Sequence, residues 1–392
     1  MLIKRITLKK LLSFNDTSVE LGRLNVLIGP NAVGKSNLIE AIGLLQAAPT
    51  NLANQILRGG GIRQWLWLGD PAPLPVASLE CELVLPNGRQ VGPLIYRLQF
   101  SEDAQGFVIL EEQLAKTYPV GYPRSDTFFD RSSLNTNFGS STPESTQGRA
   151  ESIGLSRTES VLSRLKSPID PTPITLVGSQ FEEIRVFREF RTGPASQTRY
   201  GISTSVPKEF LVDGADNLAL VLNELDFLGV HDRIRKYLSR FCERFEDVKV
   251  RVGAGIAQAF LREAGLSEML SAIRMSDGTL KFLCLLATLF HPKPPPLICI
   301  EEPELGLHPE ALQLVAEALI EASESVQLVI TTHSDALIDC LSDRPESVLV
   351  CERDFENGTQ FERLSADRLQ AWLEHYTLGQ LWRKGEIGGG RR

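Results

Sequence analysis

The strongest chemical pattern in the sequence is the segment GPNAVGKS, from Gly29 to Ser36. It fits the phosphate-binding pattern G-x-x-x-x-G-K-[ST] in full, between the strand-like run LNVLI (24–28) and a helix-like run that begins near Lys35. The lysine would reach the β- and γ-phosphates, the serine hydroxyl would bind Mg²⁺, and the helix N-terminus would add partial positive charge. The alternative, a glycine-rich turn with a solvated lysine, is disfavoured because both flanks match. The predicted nucleotide ligands are Gly29, Pro30, Asn31, Ala32, Val33, Gly34, Lys35, Ser36 and Asn37.

Two adjacent carboxylates end a second apolar run, PLICIEEPE (296–304). In phosphate-loop hydrolases, an acid at the end of a neighbouring strand holds the Mg²⁺ water shell, and a following acid can orient the attacking water. Glu301 fits the first role and Glu302 the second. Adjacent strand residues point to opposite faces, so the two side chains can do different work. Two exposed carboxylates that merely end a strand are the alternative.

A third apolar run, LVITTHSD (328–335), ends in a polar cluster that contains His333. Open α/β sheets bind ligands at the carboxyl ends of their strands, so this histidine could contact the γ-phosphate or the attacking water. A lone histidine is more often structural. Its place after a strand, two acids and a helix favours the catalytic interpretation.

The segment MSDGTLKFLCLLATL (275–289) predicts a long apolar helix capped by Ser276. A capped, buried helix is a complete explanation of this pattern by itself. A further interpretation is that Ser276 and Gly278 form an anion-binding helix terminus.

The elements around these motifs indicate an α/β fold. Strand-like runs fill the first hundred residues, and β and α segments alternate again after residue 297, which predicts a parallel sheet covered by helices on both faces. The predicted strands are 2–8, 24–28, 79–85, 94–100, 107–114, 297–300, 328–332 and 348–352, and the predicted helices include 309–324 and 334–342.

Composition narrows the class further. The 392 residues are 42% hydrophobic and 23% charged, which excludes collagen-like, wholly disordered and disulfide-scaffold proteins. A net charge of −8 argues against a constitutively basic nucleic-acid binder. No two of the six cysteines have CxxC spacing, so we expect reduced thiols and no structural zinc. Without a signal peptide or a long apolar run, we expect a cytoplasmic protein with no membrane partner.

The order of the motifs resembles the ABC-type ATPase heads of the SMC, RecF and OLD kind, within the bacterial predicted-ATPase group of the AAA family. The resemblance is carried by GPNAVGKSN, then SDGTLKFL at the signature position, then ICIEEPELGLHP, then TTHS. It covers residues 1–115 and 175–352 and implies a P-loop NTPase fold of the ABC type. The signature departs from the usual serine-glycine-glycine core, because Asp277 stands where glycine is common.

The resemblance implies that ATP and Mg²⁺ are the cofactors and that two heads form a homodimer around two ATP molecules. Ser276 and Gly278 of one copy would then contact the γ-phosphate held by Lys35 of the other, with 305–308 crossing the interface. Such heads also use a glutamine on Mg²⁺ and the water. Gln64 is the best candidate, and a polar residue before two packed tryptophans is an equal alternative.

The motifs suggest six segments. They are an ATPase lobe with the phosphate loop and an antiparallel β part (1–115), a mobile Ser/Thr/Pro-rich insertion (116–175), a return to the core (176–215), a helical insert (216–270), the core with signature, Walker B and switch histidine (271–352), and a C-terminal tail (353–392). The insert lacks sustained heptads, so long coiled-coil arms are not expected. About forty residues follow Cys351, too few for the TOPRIM nuclease domain of OLD-type relatives, so a nuclease or other effector would be a separate polypeptide.

The motifs predict a Mg²⁺-dependent ATPase, and the resemblance implies that its heads dimerise on ATP and that it acts in DNA maintenance or in defence against foreign DNA. The alternatives are an ATP-gated scaffold with little turnover and an ABC transporter subunit. The arginines of IRVFREFR (184–191) are a solvated face paired with neighbouring glutamates or, in the sharper alternative, a DNA-contacting edge.

Overall fold

The computed structural model describes residues 2–69, 75–85, 92–117, 127–132, 135–138, 154–166 and 172–388. The strands are β1 Ile3–Leu11, β2 Phe14–Glu20, β3 Leu24–Ile28, β4 Ala77–Leu83, β5 Leu94–Asp103, β6 Gly106–Lys116, β7 Thr127–Ser132, β8 Asn135–Phe138, β9 Arg185–Phe187, β10 Ile202–Ser203, β11 Phe245–Gly253, β12 Ile256–Glu263, β13 Leu270–Ser271, β14 Leu297–Glu301, β15 Gln327–Thr331, β16 Val348–Asp354 and β17 Gly358–Arg363. The helices are α1 Lys35–Ala47, α2 Leu52–Arg58, α3 Ile62–Trp65, α4 Val161–Arg164, α5 Pro173–Glu182, α6 Leu218–Phe227, α7 His231–Phe241, α8 Asp277–Leu289, α9 Leu312–Ser323, α10 Asp335–Asp339, α11 Ala366–Leu373 and α12 Leu378–Lys384.

The chain folds into two compact units, each drawn from segments that are far apart in sequence. The first unit comprises Met1–Arg185, Pro295–Leu297 and Leu349–Leu364, and the second comprises Val186–Pro294, Ile298–Val348 and Ser365–Arg392. The candidate residues divide between them accordingly. The phosphate loop belongs to the first unit, and the paired acids, the histidine and the signature belong to the second.

The first unit is built on a large β-sheet. Its strands follow the order β8-β7-β6-β5-β4-β1-β2-β17-β16-β3, with antiparallel pairing from β1 to β2 and from β4 through β8. Strict alternation of buried and half-exposed residues along β4 shows why these segments form strands with one covered face. By contrast, β3 is buried at all five positions, as expected of a strand covered on both faces. Strand β17 lies within the predicted C-terminal tail, so part of that tail is an integral strand of this unit.

A buried polar network ties residues 156–161 to the sheet of the first unit. The carboxylate of Glu112 on β6 is fully buried and accepts hydrogen bonds from the Ser160 hydroxyl at 2.5 Å, the Val161 amide at 2.8 Å and the Tyr96 hydroxyl at 2.9 Å. The guanidinium of Arg131 lies 3.8 Å away. Burial raises the pKa of Glu112, while these donors and Arg131 act in the opposite direction.

Replacing Glu112 by alanine is expected to destabilise the protein by about 3–5 kcal/mol, because Arg131 would be left as a buried charge without its partner. Urea unfolding would measure the loss. The matched control is Glu111→Ala on the same strand, whose side chain is exposed and whose removal should change the free energy of unfolding by less than about 0.5 kcal/mol. Equal midpoints for the two variants would contradict this assignment.

The second unit holds the strands β15, β14 and β9 in that order and a smaller sheet in which β12 lies between β10 and β11. Helix α8 is buried along nearly its whole length. Its Phe282 stacks on Phe241 of α7 with ring centroids 4.5 Å apart. The buried strands β14 and β15 each end in polar residues, so this core fixes the positions of the acids and of the histidine. The predicted βα alternation in the last third of the chain is confirmed, and the sheet is mixed.

The prediction of a helical insert over residues 216–270 is correct for its first half and wrong for its second. Helices α6 and α7 occupy 218–241, but β11 and β12 occupy 245–263 as an antiparallel hairpin. The period-two alternation of VKVRV (248–252) and the Gly-Ala-Gly turn at 253–255 explain the difference. Two glycines at a two-strand junction favour a hairpin over a continued helix.

The Ser/Thr/Pro-rich insertion expected to be mobile (116–175) contains regular structure in part. Strand β7 pairs with β6, and β8 pairs with β7. Phe129 is fully buried, and Arg131 is buried on Glu112. These buried side chains order a stretch whose composition alone predicts a loop. Residues 139–153, where the expectation also applied, lie outside the described residues.

Among the described residues, no helix has the length and apolar character that crossing a bilayer requires.

Candidate functional site

The phosphate loop joins the buried strand β3 to helix α1, and both predicted flanks are confirmed. Its two glycines stand where no larger residue fits. A Cβ added at Gly29 would lie 2.4 Å from the carbonyl oxygen of Cys351, and one at Gly34 would lie 2.3 Å from Thr359 Oγ1. Gly34 also has φ +111°, in the region that favours glycine. The apolar side chains Leu38, Ile39, Ile42 and Leu45 of α1 are buried.

Lys35 is the first residue of α1, and only 6% of it is exposed. Its ammonium donates hydrogen bonds to the carbonyl oxygens of Gly29 at 2.7 Å and Pro30 at 2.9 Å. The lysine is therefore held against its own loop, with its charge at the helix N-terminus. This arrangement places positive charge where a phosphate would be bound.

Two residues that support the loop, Ser13 and Thr359, were not predicted from the sequence. The Thr359 hydroxyl donates to Val33 O at 2.5 Å and contacts Ser13 Oγ at 2.7 Å, and the Asn37 amide donates to the same Ser13 oxygen at 2.8 Å. Asn37 was predicted as a ligand because it adjoins the motif. Ser13 and Thr359 are separated by 346 residues, and only the alignment of β2 with β17 brings them together.

Gln64 lies on the short helix α3 in the first unit and is exposed. With Ser13, Asn37, Trp67 and Arg353 it lines a cavity of about 220 Å³. Trp65 and Trp67, which follow it in the sequence, are buried, as in the alternative interpretation of a polar residue before two packed tryptophans. The contact of Gln64 with Mg²⁺ stays a prediction. Arg353, which lines the same cavity, was not among the predicted site residues.

In the second unit, β14 ends at Glu301, and Glu302 follows in an uncommon backbone conformation. Glu302 has φ +45°, a left-handed geometry that costs a non-glycine residue about 1–3 kcal/mol and is concentrated at functional sites. Its amide donates to Thr331 O at 3.0 Å, which ties the end of β14 to the end of β15. The strained turn aims a carboxylate away from the direction that a continued strand would give.

The structure brings Glu302 and His333 together. His333 Nε2 lies 3.6 Å from Glu302 Oε1, and about a third of each side chain is exposed. Glu301 precedes Glu302 in the sequence, and the Arg188 guanidinium lies 3.9 Å from the Glu301 carboxylate. A carboxylate beside an imidazole at the ends of two buried strands can orient a water molecule and accept its proton.

The predicted signature helix begins as expected. Ser276 caps α8, and its hydroxyl accepts a hydrogen bond from the Thr279 amide at 3.1 Å. Gly278 lies against the turn after the acids, since a Cβ there would be 3.1 Å from Gly306 O. Asp277, the departure from the family pattern, is paired with Arg199, whose side chain is only 7% exposed. Arg199 was missed because it lies 78 residues away in sequence.

The arginines of residues 184–191 make contacts within the protein. Arg188 faces Glu301, and Arg191 Nη2 lies 3.3 Å from Asp216 Oδ2. Arg185 donates to the Glu182 carbonyl at 3.0 Å. Two of these contacts are ion pairs with acids that lie outside this segment.

A phosphate loop between a buried strand and a helix, acids at the end of a second strand and a histidine at the end of a third define the class of the protein. Its fold is the mixed α/β fold of SMC ATPase heads. The chain belongs to the family described as "AAA domain, putative AbiEii toxin, Type IV TA system", whose model matches residues 24–339.

Curated relatives match shorter stretches. The Old nuclease of Escherichia phage P2 is 36% identical over 75 residues, which are 19% of this chain and 12% of that protein. The chromosome partition protein Smc of Desulfitobacterium hafniense (strain Y51) is 33% identical over 97 residues, or 24% of this chain and 8% of that protein. The matched part therefore spans only a small share of each relative's length.

Solved structures match over nearly the whole chain. A Smc head bound to the C-winged helix domain of ScpA has a TM-score of 0.56 at 13% identity, covering 94% of this chain and 99% of that one. A Smc head with an extended coiled coil, bound to the C-terminal domain of ScpA derived from Pyrococcus furiosus, has a TM-score of 0.53 at 14% identity and covers 95% and 98%. At such identities the likeness establishes the fold and nothing further.

Proposed function

We propose that the protein is a Mg²⁺-dependent ATP hydrolase whose heads dimerise on ATP and separate after hydrolysis. The pairing of Glu302 with His333 carries the proposal. A scaffold that only binds nucleotide needs the phosphate loop, but it has no use for a strained carboxylate placed beside an imidazole. Phosphoryl transfer requires positioning and charge neutralisation, and the chain offers groups for both.

The residues fit a triphosphate and Mg²⁺. Gly29 and Gly34 give the loop a backbone path that a residue with a Cβ could not follow, and Lys35 supplies a fixed positive charge. Ser36 and Glu301 offer the hydroxyl and carboxylate oxygens that Mg²⁺ prefers, and Gln64 is the further candidate. When bound, the metal would neutralise charge that develops on the phosphates.

The remaining chemistry falls to side chains of the second unit. Glu302 would orient the attacking water and accept its proton, and His333 would hold that carboxylate or the γ-phosphate in place. Glu302 departs from the extended backbone geometry of Glu301, so the two side chains point in different directions. Glu301 can then bind the metal while Glu302 acts on the water.

The proposed dimer follows from the class of head. Ser276 and Gly278 of one copy would complete the phosphate site of the other, and the segment Leu305–His308, here called the D-loop, would cross the interface. Leu305 is 55% exposed and the His308 side chain is 73% exposed, as an unengaged interface segment should be. Arg199 offsets the charge of Asp277, which would otherwise repel a phosphate approaching this helix end.

A role in DNA maintenance or in defence against foreign DNA, with a separately encoded nuclease or other effector, is proposed from the relatives' names. Smc is named for chromosome partition and Old is named a nuclease. With a net charge of −8, the free monomer should bind DNA weakly and in a salt-sensitive manner. An ABC transporter subunit is the less favoured alternative, because the EEPE–LGLHP–TTHS series differs from that group.

Calorimetry and light scattering on the purified chain test the proposal directly. We expect ATP with Mg²⁺ to bind, to double the molar mass and to release phosphate on prolonged incubation. The same sample with excess EDTA should release no phosphate. Absence of nucleotide binding would overturn the proposal, and tight binding without phosphate release would favour the scaffold.

A further inference from the structure

The sequence EEPE contains a third acid, Glu304, to which neither metal binding nor water activation was assigned. Its Oε1 atom accepts two hydrogen bonds, from the Thr332 hydroxyl at 2.6 Å and from the backbone amide of His333 at 2.9 Å. One carboxylate oxygen thus holds both the residue before the histidine and the histidine's own main chain.

The turn that carries His333 depends on this contact. Thr332 is fully buried, and its hydroxyl also accepts a hydrogen bond from the Ser334 amide at 3.0 Å. Ser334 in turn caps α10 by accepting from the Leu337 amide at 3.2 Å. These hydrogen bonds run in series from Thr332 through Ser334 to the start of α10. Among them, Glu304 is the one side chain that comes from outside the turn.

The second oxygen of Glu304 shows that the carboxylate is held there at a cost. Oε2 is buried and accepts no hydrogen bond from the described residues. Lys281, on the signature helix α8, provides compensating charge. Burial lowers the pKa of Lys281, and Glu304 is the first of the nearby acids that oppose this shift. Burying a carboxylate whose hydrogen bonds are only partly satisfied costs free energy, and an apolar side chain would fill the same space without that cost.

We propose that Glu304 is a positioning residue that fixes the backbone of His333 and joins it to the D-loop. Glu304 directly precedes Leu305, so a second copy that engages the D-loop would act, through this carboxylate, on the histidine of the same chain. The proposal rests on the proposed function for its catalytic consequence, but its structural part concerns the free protein and can be tested without nucleotide.

Two substitutions of Glu304 distinguish the effect of its side-chain length from the effect of its negative charge. Glu304→Gln keeps the length of the side chain and an oxygen that can accept both bonds, whereas Glu304→Asp keeps the charge and withdraws the oxygen by one methylene group. If Glu304 acts by holding His333, the glutamine variant should behave like the wild type and the aspartate variant should not. If it acts only as a charge beside Lys281, the order should be reversed.

Selective ¹⁵N-histidine labelling gives the readout in the free protein, since the chain has only five histidines. The His333 amide signal is identified by its loss in His333→Asn. We expect its hydrogen exchange to be about 10-fold faster or more in Glu304→Asp and Glu304→Ala, and unchanged in Glu304→Gln, as the loss of one protecting hydrogen bond implies. Wild-type protection in the aspartate variant would overturn the proposal.

Kinetics test the catalytic consequence separately. The kcat for ATP should fall by about 10- to 100-fold in Glu304→Asp, with the Kd for ATP unchanged, because a displaced group affects turnover and not nucleotide capture. If the His333 amide exchanges faster in Glu304→Asp but kcat is unaltered, the proposed effect of Glu304 on catalysis is refuted. Should the wild type hydrolyse no ATP, the proposed function fails, while amide exchange still decides whether Glu304 positions His333.

Discussion

Replacing Glu302 by glutamine is expected to lower the ATP hydrolysis rate by about 100- to 1,000-fold while leaving ATP binding intact. The amide has nearly the same shape as the carboxylate, so the turn at φ +45° and the bond from its amide to Thr331 should persist. What is lost is the ability to accept a proton from water. The variant should therefore remain with ATP bound and should accumulate as a dimer in ATP and Mg²⁺.

Phosphate release and light scattering on one sample measure both consequences. Glu324→Gln is the control, since Glu324 is exposed at the end of α9 and should leave both quantities at wild-type values. An unchanged hydrolysis rate in Glu302→Gln would refute the assignment of Glu302 as the base. The trapped dimer would also serve to capture DNA or a separately encoded effector.

The local features of this protein could be predicted from the sequence because their signals are local. The strand before Gly29, the helix at Lys35 and the cap at Ser276 each follow from residues within a few positions of one another. The same holds for Glu302 and His333, since each follows an apolar run whose end is fixed by composition.

The residues that were missed act over long sequence separations. Thr359 supports the phosphate loop from a strand more than 300 residues away, and Arg199 neutralises Asp277 across 78 residues. No local pattern encodes such pairs, because the sheet order and the packing of the second unit create them. The hairpin at 245–263 was missed for a different reason. Its alternation and its Gly-Ala-Gly turn are local signals of a hairpin, but they directly follow the apolar stripe of α7 within a segment that otherwise has a helical pattern.

A mixing experiment with two inactive variants should restore activity, and this is the sharpest expected result for the shared nucleotide site. Lys35→Ala removes the ammonium that is proposed to hold the phosphates, so this variant should neither bind ATP nor dimerise. Ser276→Arg leaves the phosphate loop intact but places a bulky side chain on the signature helix, so this variant should bind ATP and stay monomeric. Each alone should hydrolyse ATP at less than about 1% of the wild-type rate.

In a mixed dimer, one site combines the intact loop of the Ser276→Arg chain with the intact signature of the Lys35→Ala chain. The other site carries both defects. Because neither variant pairs with itself, every dimer that forms in an equal mixture is mixed. Each mixed dimer has one of its two sites intact, so up to about half of the wild-type rate should return.

The control mixture combines Lys35→Ala with Glu302→Gln. Both of these residues act on the nucleotide of their own chain, so no arrangement of the two variants assembles an intact site, and no activity should return. Recovery in the first mixture but not in the second follows only if each site takes its phosphate loop and its carboxylate from one copy and its signature from the other. No recovery in the first mixture would mean that Ser276 does not act across the dimer, and the nucleotide site would then belong to a single copy.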